Sequence, residues 1–145
     1  MAELARKKGI EVVTGVAENL PYQDASFDFA LMVTTICFLD DIDLALQEAF
    51  RVIRPKGSFV IGFVDKNSPL GKAYEEGKQE SLFYRYATFY AVDELLPRLR
   101  SAGFKTFSFR QTLAGPLENM KEPSPIAEGY GKGSFVVIKA DKDER

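Results

Sequence analysis

Two adjoining stretches decide the fold: F-D-F-A-L-M-V-T-T-I-C-F-L-D-D over Phe27–Asp41, and A-L-Q-E-A-F-R-V-I-R-P-K-G-S-F-V-I over Ala45–Ile61. Phe27–Thr35 is nearly all apolar after Asp28. A short continuous apolar run predicts a strand buried on both faces, as in a parallel sheet covered by helices. Asp40 and Asp41 offer an N-cap to the segment that follows. Leu46, Phe50 and Ile53 recur at i, i+4 and i+7, so Ile42–Arg54 is expected to be an amphipathic helix, ended by Pro55 and Gly57. Ser58–Val64 is a second strand of the buried type. Strand, helix and strand at this spacing predict a right-handed crossover with Phe27–Thr35 and Ser58–Val64 as parallel neighbours.

Upstream, Met1–Lys8 reads as the end of a helix stopped by Gly9. Glu11–Val16 (E-V-V-T-G-V) reads as a short β-branched strand, and Asn19–Ser26 as a loop. Downstream, Ser68-Pro69 caps and starts a helix running to about Gln79. An aromatic cluster follows, with Phe83, Tyr84, Tyr86, Phe89 and Tyr90. Val92–Ser101 is a helix with Gly103 as its C-cap, Phe104–Leu113 a strand, Ala114–Gly133 a long loop, Ser134–Ala140 the last strand and Asp141–Arg145 a charged tail. The pattern is an α/β sheet, mostly parallel, that closes with an antiparallel strand pair at its C-terminal end. No linker divides it, so residues 1–145 are expected to be a single domain, with 66–91 inserted as a substrate cap.

The composition removes several chemistries. The chain has 145 residues, 46% hydrophobic, which suffices for one core. A net charge of −2 shows no basic excess for nucleic acid or an anionic membrane. With no histidine and one cysteine, there is no Ser-His-Asp triad, no disulfide within the chain and no Cys- or His-based metal site. The N-terminus is charged and has no apolar h-region, so it is not a secretory signal and a cytoplasmic location is expected. An organic cofactor that brings its own reactivity remains compatible.

Four segments, in order and at consistent spacing, carry a family resemblance: G-V-A-E-N-L-P-Y (Gly15–Tyr22), S-F-D-F-A (Ser26–Ala30), E-A-F-R-V-I-R-P-K-G (Glu48–Gly57) and D-E-L-L-P-R-L-R-S-A-G-F (Asp93–Phe104). Together they resemble class I S-adenosylmethionine-dependent methyltransferases, most closely the small-molecule type of quinone biosynthesis. The resemblance implies a Rossmann-like sheet and S-adenosylmethionine as cofactor. It places Ala17 and Glu18 against the adenine, through a backbone N–H and a side-chain acceptor. It also implies methyl transfer to a small-molecule acceptor, with catalysis by proximity and orientation rather than by acid–base side chains.

One departure stands out. The family's glycine-rich loop and ribose-binding carboxylate precede the adenine segment by several tens of residues. Only 16 residues precede Ala17 here, and they contain no G-x-G. The chain is therefore expected to start after the first two strands and a helix of the family's order, as an N-terminally truncated sheet. That would leave Phe27–Thr35 with a free edge, to be paired by Glu11–Val16 or by a second molecule.

Val33, Thr34 and Thr35 end a strand at the carboxyl edge where such sheets bind ligands, and join Ala17 and Glu18 as candidate cofactor residues. Phe38, Phe83, Tyr84, Tyr86 and Tyr90 are candidates for the wall of an acceptor pocket. Cys37 reads as a small buried hydrophobe, and no catalytic residue is singled out. A second reading is a non-catalytic α/β module that self-associates through its free edge and binds no cofactor.

Overall fold

The computed structural model describes residues 1–144. A short helix, α1 (Ala2–Lys7), ends at Gly9, whose φ of 78° suits glycine. The sheet is built from β1 (Phe27–Val33), β2 (Ile53–Val64), β3 (Thr106–Thr112), β4 (Ala127–Glu128) and β5 (Phe135–Asp141). Its helices are α2 (Ile42–Val52), α3 (Pro69–Gly77) and α4 (Val92–Ala102). The spatial order is β1-β2-β5-β3-β4. β1 and β2 are parallel neighbours bridged by α2, as expected, while β5 lies antiparallel to both β2 and β3. This is a mixed α/β sheet of the Rossmann-like kind that the resemblance implies. It has one parallel pairing, β1–β2, and three antiparallel ones, so it is less parallel than the sequence pattern suggests, because β5 runs reversed between β2 and β3 and β4 pairs back on β3.

Register sorts the side chains. Ala30, Met32, Phe59, Ile61, Ile138 and Ala140 share one face, because paired positions on adjacent strands point the same way. Against that face α2 brings Ile42, Leu46 and Ala49, and α4 brings Val92, Leu95 and Leu99. The other face carries Phe29, Leu31 and Val33 of β1 beside Val60 and Val137. There Phe29 is 70% and Leu31 72% exposed. The expectation that Phe27–Thr35 is buried on both faces is thus corrected: helices cover only one of them.

Glu11–Val16 forms no strand. Among the described residues its one ladder contact is an isolated bridge from Val16 to Asn19, and none of them pairs with the outer edge of β1. β-branched composition alone does not make a strand without a partner ladder, and Gly15 turns the segment against the Pro21 ring. Other boundaries move too. α2 stops at Val52, short of Arg54, because β2 begins at Ile53 rather than Ser58. In β2, residues 54–57 bulge between the pairs Phe27–Ile53 and Phe29–Ser58. A Cβ at Gly57 would sit 2.5 Å from the Asp28 carbonyl oxygen, so only glycine fits that bulge. Asp141 belongs to β5 and Lys142 is buried, so the expected tail begins later, and Arg145 lies outside the described residues.

α2 is fastened at both ends. At its start Asp41, not Asp40, is the N-cap, accepting from the Leu44 N–H at 3.0 Å. At its end the Lys142 ammonium donates to the carbonyls of Phe50 and Ile53, both at 2.7 Å, and lies 4.2 Å from the Phe50 ring centre. Near that end Glu48 and Arg51 form a two-pronged ion pair, with both bonds at 2.7 Å. Together they grip the loop before β1. Glu48 accepts from the Leu20 N–H, and Arg51 donates to the Leu20 and Tyr22 carbonyls and to the Asp24 carboxylate. Arg54 adds bonds to the carbonyls of Ala25 and Ser26 and to Asp28. The E-A-F-R-V-I-R segment is thus a clamp that holds residues 20–28 on the helix.

Two outcomes follow from this packing. Leu46→Ala removes a fully buried side chain and should cost about 2–5 kcal/mol in urea unfolding, whereas Leu31→Ala at the open face should cost under about 0.5 kcal/mol. The second outcome concerns acid. Arg51 beside Glu48 holds the Glu48 carboxyl below its ordinary value. Its contribution is therefore complete above the unfolded glutamate value of about 4.3 and is lost as pH falls through the lower folded value. The urea midpoint of Glu48→Gln should fall less steeply than that of the parent chain between pH 5 and pH 3, at roughly the 1 kcal/mol scale of a part-buried ion pair. Parallel acid profiles for the two proteins would refute the clamp's role.

Candidate functional site

The carboxyl ends of β1 and β2 open onto a pocket of about 230 Å³. Ligands of α/β sheets collect in the crevice outside the carboxyl ends of the strands. Thr34 continues from β1 into the wall, while Phe63 and Val64 arrive from the end of β2. Ile36, Cys37 and Phe38 come from the 3₁₀ turn after β1. Tyr74 comes from α3, and Phe83, Tyr84, Phe89 and Tyr90 from the segment before α4. None of these side chains is acidic, basic or charged at neutral pH. Burial pushes the Cys37 thiol up and is the main cause that raises the Tyr84 and Tyr90 phenols. All three therefore stay protonated, and the phenols are available as donors.

The rings form a stack. Phe38 lies 6.0 Å from Tyr84 with planes 11° apart, and Tyr84 lies 5.1 Å from Tyr74 at 21°. Phe89 leans on both tyrosines at 5.7 and 6.0 Å. This stack joins residues 74–90 to the turn after β1, and the Thr88 N–H adds a 2.9 Å bond to the Cys37 carbonyl.

The chain bends sharply at the pocket rim. Thr34 has φ 48°, a left-handed conformation that a β-branched residue rarely adopts. Its N–H donates to the Gly62 carbonyl, and the Thr35 hydroxyl donates back to the Val33 carbonyl at 2.9 Å. Strain of this kind, held by its surroundings, gathers at ligand sites.

The loop before β1 lies on the other side of this turn. Val16 and Asn19 close a tight turn that leaves the Ala17 N–H without an acceptor among the described residues. Glu18 is engaged. Its Oε1 accepts from the Asp40 N–H at 2.9 Å and the Asp41 N–H at 3.2 Å. Those bonds, the Asp41 one foremost, hold its carboxyl below the ordinary value.

Of the residues singled out from sequence, Thr34, Phe38, Phe83, Tyr84 and Tyr90 come together around the pocket. Tyr86, 87% exposed, is outside the lining, while Phe83 lines the pocket with 81% of its surface exposed. Val33 and Thr35 flank Thr34 outside the lining, and Cys37 is half-buried in the wall rather than in the core. The pocket also takes Ile36, Phe63, Val64 and Tyr74, which the sequence does not single out, and Phe89, which it shows only as a member of the aromatic cluster. Phe63 and Val64 could have been found from the rule that points to strand carboxyl ends. Tyr74 had no local signal, because its place depends on how α3 packs.

Comparison with known proteins follows the same lines. A family model for a methyltransferase domain matches residues 1–61. The crystal structure of a SAM-dependent methyltransferase, possible histamine N-methyltransferase, from Thermotoga maritima superposes with a TM-score of 0.95 at 50% identity. That match covers 99% of this chain and 69% of the other. An uncharacterised protein of Methanocaldococcus jannaschii is 39% identical over 98% of this chain and 69% of its own length. A ubiquinone/menaquinone biosynthesis C-methyltransferase of Brucella anthropi is 32% identical over 78% of this chain, which spans 52% of that protein. The chain thus covers about two thirds of the first two relatives and about half of the third. With the sheet order, the pocket at the strand ends and these likenesses in agreement, the chain belongs to the class I S-adenosylmethionine-dependent methyltransferases.

Proposed function

We propose that this chain carries the acceptor side of a methyl-transfer site and moves a methyl group from S-adenosylmethionine to a small molecule held in the aromatic pocket. The observation that carries this reading is the neutral, aromatic-walled pocket at the carboxyl ends of β1 and β2, rimmed by the strained Thr34. When bound, the cofactor supplies a methyl group already attached to a sulfonium leaving group. The chain's own residues bind and orient. The unpaired Ala17 N–H and the Glu18 loop face the nucleoside, and Val33, Thr34 and Thr35 line the approach from β1. Phe38, Phe83, Tyr84 and Tyr90 hold the acceptor and exclude water, with residues 66–91 as the cap over it. Holding two reactants in line in a dry site is a sufficient source of rate for such a transfer. A nitrogen acceptor that enters neutral and an activated ring carbon both suit walls without a general base, and relatives of the chain are named for N- and C-methyl transfer. Among the described residues no helix is long and apolar enough to cross a membrane, and a cytoplasmic location is part of the proposal.

The residues present fit one side of the cofactor. The chain holds no G-x-G before Ala17. Without two charge-assisted or backbone bonds worth about 1.5–3 kcal/mol each, affinity drops by ~10²–10⁴. Calorimetry of residues 1–145 with S-adenosylhomocysteine should give a dissociation constant of roughly 0.1 mM or weaker. At millimolar cofactor, transfer of a labelled methyl to a panel of amines and activated aromatics should be detectable and should drop about tenfold or more in Tyr84→Ala. The absence of both binding and transfer at every concentration tested would sink the proposal.

The exposed β1 edge and face favour a second reading, in which the chain self-associates through Phe27–Val33 as a non-catalytic module. Sedimentation velocity should then show a concentration-dependent dimer that Leu31→Lys abolishes. A dimer without nucleoside binding would favour this reading over the first.

A further inference from the structure

We infer that Glu18 is a positioning residue that ties the loop at 16–19 to the wall of the acceptor pocket. Its side chain crosses between two segments that are otherwise separate in sequence. One end belongs to the turn closed by the Val16 carbonyl and the Asn19 N–H. The other end, Oε1, takes both the Asp40 and Asp41 N–H groups. Asp40 is separated by Leu39 alone from Ile36–Phe38, the turn whose residues wall the pocket. Asp41 caps α2, so the carboxylate also fixes where the helix begins.

The loop that carries Glu18 is itself immobilised, because Leu20 is held by Glu48 and Arg51 at the far end of α2. Glu18 therefore pulls from a fixed point. An ionised acceptor shared by two backbone donors is stronger than a neutral one. Removing it leaves two N–H groups at the pocket rim without an acceptor and frees the 36–41 turn to move. A ligand that contacts the 16–19 loop and tightens the Glu18 bonds then also restrains the pocket wall, and by reciprocity a pocket ligand strengthens binding at the loop. This last step rests on the reading of 16–19 as the nucleoside side; the link between Glu18 and the wall does not.

Cys37 is the chain's one cysteine and lies in that wall, so its rate of reaction with 5,5′-dithiobis(2-nitrobenzoate) reports on the wall directly. Glu18→Ala should speed the reaction about tenfold or more, while Glu18→Gln, which keeps the acceptor oxygen, should stay within about threefold of the parent. Glu18→Asp keeps the charge but withdraws it by one methylene, should behave as Glu18→Ala does, and decides the question should Glu18→Ala not fold. Lys142→Met serves as the comparison for general loosening, since it removes the fastening at the opposite end of α2. It should lower the melting temperature and leave Cys37 within about threefold. An unchanged Cys37 rate in Glu18→Ala or Glu18→Asp, or an equal acceleration in Lys142→Met, overturns the inference. With millimolar S-adenosylhomocysteine present, Cys37 should slow in the parent chain and not in Glu18→Ala. Binding of that probe with equal slowing in both proteins also overturns the inference. Failure of the probe to bind counts against the proposed function instead, and the ligand-free rates still decide the role of Glu18.

Discussion

The two-pronged bond between Glu48 and Arg51 is the constraint on which the site depends. α2 alone could be replaced by any amphipathic helix that covers the sheet. What this helix does beyond burial is hold a loop with almost no regular structure of its own. Residues 17–26 form no helix or strand beyond the Val16–Asn19 bridge. The Leu20 N–H and the Leu20 and Tyr22 carbonyls are satisfied by side chains on α2, and the Ala25 and Ser26 N–H groups by the Arg51 and Val52 carbonyls. The ion pair is partly exposed, and an exposed pair contributes little to stability by itself. Its value lies in geometry: each partner is already fixed by the other, so gripping the loop costs less side-chain entropy than two free residues would.

The sheet is covered unevenly, and this explains the pattern of exposure across the molecule. α2 and α4 seal one face with leucine, isoleucine and valine, and the deepest core lies there. On the opposite face Phe29, Leu31 and Val33 form an apolar strip, continued by Val60 and Val137. Single exposed apolar residues are ordinary on a protein surface, but a contiguous strip along an edge strand is not. It makes this face the natural ground for contact with other polypeptide.

The parts of the fold legible in sequence were those set by local chemistry and period. Asp41 and Ser68 as caps and Gly103 as a left-handed stop follow from neighbours within a few residues, and the parallel pairing of β1 with β2 follows from the short strand–helix–strand crossover. Glu11–Val16 misled because strand propensity reports a fit to a half-buried pleated surface, and no such surface lies beside it. The apolar run Phe27–Thr35 was read correctly as a strand and wrongly as buried, since composition shows what a face could be packed against, not what is there. In the site, the aromatic cluster pointed to the pocket. It could not separate Tyr84, stacked between Phe38 and Tyr74, from Tyr86 two residues on, which faces solvent. The role of Glu18 was hidden for another reason: its partners are backbone N–H groups, which carry no sequence signature.

The position of β5 has a consequence for how the molecule assembles. The last strand in the chain is not at an edge but between β2 and β3. Until it arrives, β2 has only β1 beside it and β3 has no neighbour but the two-residue β4. The Lys142 ammonium that closes the end of α2 follows directly on the same strand. Folding must therefore wait for contacts between residues more than 70 positions apart, such as Ser58 with Asp141. Such long loop closures slow folding. They also leave apolar strand edges exposed in the meantime, so a ribosome-bound or C-terminally shortened chain is the form in which this protein is most prone to aggregate.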